Sequence, residues 1–160
     1  MFKAVTLDSK ASVVSVADPA IDQNESDLEA WKREMTEDPY SWKKYVKPQG
    51  GQPLTVFHIG TIDASELTRI ESDAGMGIGT IDPRPNQLYW SCFLLGIRGI
   101  DNPPVTDSAK DIPTVVRHGV SFVNPAWLNE TFSRGLRMVG VGIGQHIYNF
   151  NQMTEDDVKK

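Results

Sequence analysis

The sequence has little cysteine, and this limits its chemistry. Its one cysteine, Cys92, lies within the apolar run LYWSCFLLGI, so the chain forms no intramolecular disulfide. A reactive thiolate needs an accessible, electropositive environment, which an apolar run does not provide. We therefore expect Cys92 to be a buried thiol and not a nucleophile.

Long apolar runs are also missing. No stretch reaches the roughly 18 consecutive apolar residues of a membrane-spanning helix, and the residues after Met1, FKAVTLDSK, lack the apolar core of a secretory signal. We expect a protein that is made in the cytoplasm, stays soluble and has no membrane partner.

Positive charge is in the minority. The chain has 16 Lys and Arg against 21 Asp and Glu, a net charge of −5, which makes nucleic acid an unlikely partner. The local exception is YSWKKYVKPQGGQP, where Tyr40, Trp42 and Tyr45 alternate with lysines. This pattern suits either base stacking with phosphate contacts or an aromatic-anchored connector with solvated lysines. We favour the connector, because the preceding stretch Asp22–Asp38 carries seven acidic residues and two basic ones.

Catalytic and metal-binding motifs are absent from the sequence. It has no G-x-S-x-G, no H-E-x-x-H and no C-x-x-C. His58 has no second histidine or cysteine at metal-site spacing, since His118 and His146 are far along the chain. We predict no catalytic residue, no cofactor and no metal ion, with His58 structural or exposed. A site assembled from distant residues stays open at this point.

Glycine is the one residue type that suggests a ligand loop. Two stretches alternate glycine with apolar residues, GMGIGT (75–80) and VGVGIGQ (139–145). Neither matches the phosphate-binding G-x-x-x-x-G-K-[ST] or the dinucleotide fingerprint G-x-G-x-x-G after a strand. A nucleotide-binding protein or small enzyme that uses one of them is therefore the alternative, not the first interpretation.

What is present fits one small α+β domain with a real core, since 39% of the 160 residues are hydrophobic. Residues 1–53 are predicted to form an N-terminal arm, an acidic helix and a connector. The arm contains a short strand at Val13, Val14 and Val16, which is either free or at a sheet edge. The acidic helix follows from the capping-box spacing of Ser26 and Glu29 and from apolar residues at helical intervals, Leu28, Trp31 and Met35.

Residues 54–160 are predicted to form the core. β-Branched residues in 54–61 predict a strand, and Asp63 with Glu66 predicts a capped helix that ends near Gly75. The apolar run 86–100 predicts a buried central helix, with a buried strand as the rival. We expect this helix to begin at Asp82-Pro83 and to stop at Arg98-Gly99, and residues 101–120 to form a long loop with a short strand at Val115-Val116.

The last element is predicted to be one long helix. Asn124-Pro125 has the pattern of an N-cap followed by proline at the first helical position. Apolar residues then recur at helical steps through the glycine stretch: Leu128, Phe132, Leu136, Val139, Ile143, Ile147 and Phe150. Each helical glycine costs about 1 kcal/mol relative to alanine, so we expect close packing at Gly140 and Gly144 against a neighbouring helix or a partner subunit. A break in the helix, or a strand, is the alternative.

Three stretches give the chain a family resemblance: the N-terminal segment up to VSVADPA, the strand and helix PLTVFHIGTIDASELTRI, and the ending NFNQMTEDDVKK. Together they resemble small structural and assembly proteins of tailed bacteriophages. The resemblance implies a non-enzymatic virion subunit, in the head–tail connector or neck, the capsid or the tail, or else a tail assembly chaperone. It also implies other phage structural proteins as partners, a homo-oligomer in a symmetric assembly, and location in the virion after synthesis in the host cytoplasm.

No site residue transfers from this resemblance. The candidates for interaction with a partner come from the residues themselves: Trp31, Tyr40, Trp42, Tyr45, Gly140 and Gly144.

Overall fold

The computed structural model describes residues 9–19, 21, 29–30, 33–34, 39–42, 53–76, 82–104 and 111–152. In these ranges the fold is α+β, as predicted, with helices and two small antiparallel sheets in a single small domain. The elements, in chain order, are β1 (Lys10–Val13), a 3-10 turn (Pro39–Ser41), β2 (Val56–Gly60), α1 (Ala64–Asp73), α2 (Pro85–Gly96), β3 (Ile97–Asp101), β4 (Thr114–Arg117), β5 (Val120–Val123), α3 (Pro125–Phe132) and α4 (Arg137–Phe150).

The larger sheet has the order β1-β2-β3, so β1 is an edge strand, one of the two possibilities that the sequence left open. Strand β2, predicted within residues 54–61, pairs antiparallel with both neighbours. Its inward side chains Phe57 and Ile59 are buried in the main core. The N-terminal segment therefore supplies a strand to the same sheet as the core. The indole N–H of Trp42 donates to the carbonyl of Ser12 at 3.0 Å, next to this edge.

Helix α1 is bounded much as the sequence predicts. The side chain of Asp63 accepts a hydrogen bond from the amide of Ser65. Glu66 lies 3.1 Å from the Arg117 guanidinium, a partner that the capping-box pattern did not foresee. At the other end, the amides of Gly75 and Met76 bond to the two carbonyls of the last turn that this type of cap uses, and Gly75 has φ +70°. The predicted stop at Gly75 is confirmed.

Helix α2 is the buried central helix, but both predicted ends were wrong. Arg84 is the N-cap and Pro85 the first helical residue, because the fixed φ of proline suits that position. The helix ends at Gly96, and Arg98-Gly99 lies inside β3. The helical and strand interpretations of this apolar run each hold for part of it.

The predicted single C-terminal helix is also wrong, since the chain breaks between α3 and α4. Asn124 caps α3 and Pro125 begins it, as predicted. Gly135 then adopts φ +80°, which ends the helical path where only glycine is unstrained. The predicted stripe nevertheless packs inward on both helices, with Phe132 and Ile143 buried.

The long loop predicted for residues 101–120 contains regular structure in part. Strand β3 reaches Asp101, and β4 and β5 form a hairpin whose two turn residues, His118 and Gly119, both have positive φ. The short strand predicted at Val115-Val116 is confirmed, whereas β5 was not predicted. The guanidinium of Arg117 holds the hairpin to the body through Glu66 and the Leu95 carbonyl, residues 105–110 lying outside the described ranges.

Two apolar clusters among the described residues stabilise the fold. The main one fills the space between α2, α3, α4 and the inner face of the larger sheet. A smaller one consists of Val14, Ile21, Trp42 and Leu54. In the predicted acidic helix, residues 29, 30, 33 and 34 are helical, and the other positions lie outside the described residues.

Candidate functional site

An open groove beside α4 is the best-formed candidate site in the described part of the chain. Its volume is about 470 Å³, within the range of small ligand and side-chain pockets. Four segments that are distant in sequence line it, with these residues: Ser15, Ala17, Asp18, Pro19, Pro53, Thr55, Phe57, Asn102, Pro103, Pro104, Phe132, Leu136 and Val139.

The floor of the groove is apolar and rigid. The rings of Phe57 and Phe132 lie 5.8 Å apart, and both side chains are only 1% exposed. Leu136 and Val139, half-buried at the start of α4, complete this apolar surface. A surface of this kind gains free energy when an apolar side chain removes it from water.

The wall of the groove is fixed by hydrogen bonds. The amide of Thr55 donates to the carboxylate of Asp18 at 2.9 Å, and its hydroxyl donates to the carbonyl of Asn102 at 2.6 Å. The side-chain amide of Asn102 donates to the carbonyl of Leu54 at 3.0 Å. Asn102 has φ +54°, and the hydrogen bonds of its carbonyl and its side-chain amide maintain this conformation. The groove is therefore preformed.

The rim determines which ligands the groove suits. Pro19, Pro53, Pro103 and Pro104 have no backbone N–H and fix their own φ angles, so the rim is stiff and poor in donors. Asp18 is the one charged residue among those that line it. This arrangement suits apolar side chains and disfavours a phosphate, which requires several N–H donors or cations.

The glycine stretch 139–145 does not form a loop. It lies in α4, as the helical interpretation predicted, and Gly140 and Gly144 are buried against α2. A Cβ on Gly140 would lie 2.5 Å from the Trp90 ring, and one on Gly144 would lie under 3.0 Å from the Tyr89 backbone. Of the two alternatives, a neighbouring helix therefore makes the close approach. In the other stretch, residues 77–80 lie outside the described residues.

The aromatic candidates are anchored within the chain where they are described. Trp42 is 9% exposed in the smaller cluster, and half-buried Tyr40 has its ring edge-on to Phe150 at 6.2 Å. Both arrangements agree with the interpretation of this stretch as an aromatic-anchored connector. Trp31 and Tyr45 lie outside the described residues.

His58 has a closer carboxylate partner than His118, whose Nε2 lies 4.0 Å from Glu66. Its Nε2 lies 3.0 Å from Oδ2 of Asp101, and the two side chains are 39% and 61% exposed. Because a carboxylate only accepts, Nε2 carries the proton. The described ranges hold no group of three or more His, Cys, Asp or Glu side chains arranged to bind a metal ion.

Cys92 is buried, as predicted. Burial is the largest cause that raises the pKa of its thiol to about 12, with Glu71 adding to it. Burial and the hydrogen bond to Glu71 likewise raise the pKa of the Tyr148 hydroxyl to about 12. At neutral pH both groups are therefore protonated and poor nucleophiles.

Sequence reasoning missed the groove, because its residues come from separate segments and few of them belong to any pattern. The available signal was the placement of prolines at 19, 53 and 103–104, each beside a strand or loop that reaches the groove.

No helix in the described ranges has the length and apolar character needed to cross a membrane. The chain matches no family model, no curated protein and no solved structure.

Proposed function

We propose that this protein is a non-enzymatic subunit of a tailed-bacteriophage virion, and that it acts by accepting an apolar segment of a neighbouring subunit in the groove beside α4. The resemblance of three stretches of the sequence supports the phage assignment. The groove supports the mode of action, because it is open, preformed and apolar, with a donor-poor rim of prolines. This groove is the observation that carries the proposal.

Two variants test the groove directly. Ala17→Trp adds a large ring at an exposed lining position, and Val139→Asp places a charge in the apolar floor. Val116→Asp is the matched control, because it adds the same charge to a side chain that is 71% exposed and does not line the groove. Circular dichroism and thermal unfolding identify the variants that fold.

The measurement is incorporation into particles. Mass spectrometry of purified virions should detect the wild-type chain and Val116→Asp, and should find folded Ala17→Trp and Val139→Asp depleted. Absence of the wild-type chain from virions would overturn the virion role and favour a tail assembly chaperone. Incorporation of the two groove variants at the level of the control would overturn the groove as the docking site.

A nucleotide-binding function is tested separately. Thermal shift against a panel of nucleotides should give no stabilisation, because the glycine stretch 139–145 is packed within α4 and offers no loop. Stabilisation by one nucleotide would favour the alternative function.

A further inference from the structure

The outer face of the larger sheet carries a second depression, separate from the groove. Its volume is about 550 Å³, and its lining includes Lys10, Ser12, His58, Arg98, Gly99 and Ser121. The groove is mainly apolar, whereas this depression is lined by polar and basic side chains.

The strand register explains its shape. Ser12 is opposite His58 and His58 is opposite Gly99, so one row of this face holds two polar side chains and a glycine. Lys10 is opposite Gly60 in the next row. Because Gly99 lacks a side chain, there is space over it beside the imidazole of His58, whose Cδ2 lies 3.6 Å from the position that a Cβ would take.

Two cations flank this space. A Cβ on Gly60 would lie 2.8 Å from Cγ of Arg98, so the Arg98 stem crosses over Gly60 on the β3 side. Lys10 lies on the β1 side of the same glycine. Two inter-strand spacings of about 4.8 Å separate β1 from β3, so the backbones that carry the two residues are roughly 10 Å apart.

Neither cation has a carboxylate partner among the described residues. Arg98 donates from Nε to the Ser121 carbonyl at 2.9 Å and lies over the ring of Phe122 at 5.3 Å. Its Nη1 is buried and has no hydrogen-bond acceptor in the described part of the chain, so this atom is not open to a ligand, and Arg98 acts on the depression through the charge of its guanidinium. The chain has more acidic than basic residues, 21 against 16. Two basic side chains without carboxylate partners at one depression therefore run counter to its overall negative charge.

We propose that this depression binds a carboxylate of an acidic protein segment, held between Lys10 and Arg98 above His58. The nearest opposing charge is Asp101, which is 3.0 Å from His58 and limits the site to a small net positive charge. Two cations on a protein of net charge −5 do not provide the extended basic surface that a nucleic-acid backbone requires. The proposal is independent of the virion role.

The probe is a hexaglutamate peptide, titrated at low salt into the isotope-labelled protein and followed by backbone amide shifts. Saturable shifts are expected at Lys10, Ser12, His58 and Gly99. Lys10→Ala should weaken binding about threefold to tenfold, as loss of one partly exposed charge-assisted contact does. Lys10 is exposed, so this variant should retain the fold.

Arg134→Ala is the matched control, since it removes one positive charge from an exposed turn residue that does not line the depression. It should change the affinity less than twofold. Equal weakening by both variants, or no saturable shift in the wild type, would overturn the site. Acetate and phosphate alone should shift the same amides more weakly.

Two further outcomes would overturn the assignment to an acidic protein segment. One is saturable binding of phosphate without binding of the peptide, which would indicate an adventitious ion only. The other is tighter binding of a single-stranded oligonucleotide of equal charge at the same amides.

Discussion

Gly144 in α4 lies directly against the backbone carbonyl of Tyr89 in α2. A Cβ at this position would come under 3.0 Å from that carbonyl, a distance that side chains essentially never adopt. Gly140, one turn earlier, meets the ring of Trp90 instead. Gly142 points away from α2 and has nothing within 4 Å. Gly140 and Gly144 therefore permit the close contact between α4 and α2, whereas Gly142 takes no part in it.

The three glycines should respond differently to alanine. Gly144→Ala should destabilise most, by about 1–3 kcal/mol, because a backbone carbonyl cannot move aside. Gly140→Ala should destabilise less, since the Trp90 side chain can shift. Gly142→Ala is the control and should stabilise by roughly 0.4–1 kcal/mol. Urea unfolding measures all three, and equal stability of the Gly142 and Gly144 variants would contradict this packing.

Leucine at Gly140 or Gly144 should disrupt the fold more than alanine does. The larger side chain has no space between α2 and α4, so we expect loss of stability or failure to fold. If both leucine variants unfold like the parent in urea, α2 and α4 do not pack through these glycines.

Cys92 should react with a thiol reagent only when the protein unfolds. Burial raises the pKa of its thiol to about 12, so very little thiolate exists at pH 8, and the sulfur is inaccessible. Absorbance with a disulfide reagent should show no reaction in buffer and one thiol per chain in guanidinium. Rapid labelling of the folded protein would show that Cys92 is accessible.

His146 should make stability depend on pH. Burial lowers the pKa of its imidazole below the ordinary value of 6.5, so the unfolded chain binds more protons than the folded one below about that pH. The stability contribution is complete above pH 6.5 and is lost as the pH falls, by up to about 1.4 kcal/mol per pH unit. The free energy of unfolding, measured with urea between about pH 5 and 7, should depend less steeply on pH in His146→Gln than in the parent. An unchanged pH dependence would argue against burial of the imidazole.

Asn102 should tolerate glycine better than alanine. Its φ of +54° is unstrained for glycine and strained for alanine, and both variants lose the side-chain bond to Leu54. Asn102→Ala should therefore be less stable than Asn102→Gly by about 1 kcal/mol. The pair is its own control, because the lost hydrogen bond is common to both. Greater stability of Asn102→Ala than of Asn102→Gly would show that the positive φ of residue 102 does not hold the groove wall.

Local signals in the sequence were sufficient for caps and for isolated strands. Asp63, Gly75 and Asn124-Pro125 act where the sequence places them, because capping depends on residues within one turn. Strand β2 was also predicted, since its β-branched run is bounded by turn residues. These features need no knowledge of distant contacts.

Junctions between buried elements were not predictable in this way. The apolar run of α2 continues past Gly96 into Ile97 of β3, so the spacing of its apolar residues does not mark the change from helix to strand. The apolar stripe likewise keeps its helical spacing from Phe132 to Leu136 across the break at Gly135. The groove and the basic depression are formed by residues that meet only in the folded chain.

The number of residues in the turn between α3 and α4 should be more strongly constrained than the identity of Ser133 and Arg134. Phe132 lines the groove from one side of this turn, and Leu136 and Val139 line it from the other. Each residue advances a helix by about 100°, so one residue inserted or deleted here would have to be absorbed within the turn, or α4 would rotate and remove Leu136 and Val139 from the floor of the groove. Related chains should therefore keep three residues between Phe132 and Leu136 and keep glycine at position 135, where φ is positive, while Ser133 and Arg134 vary.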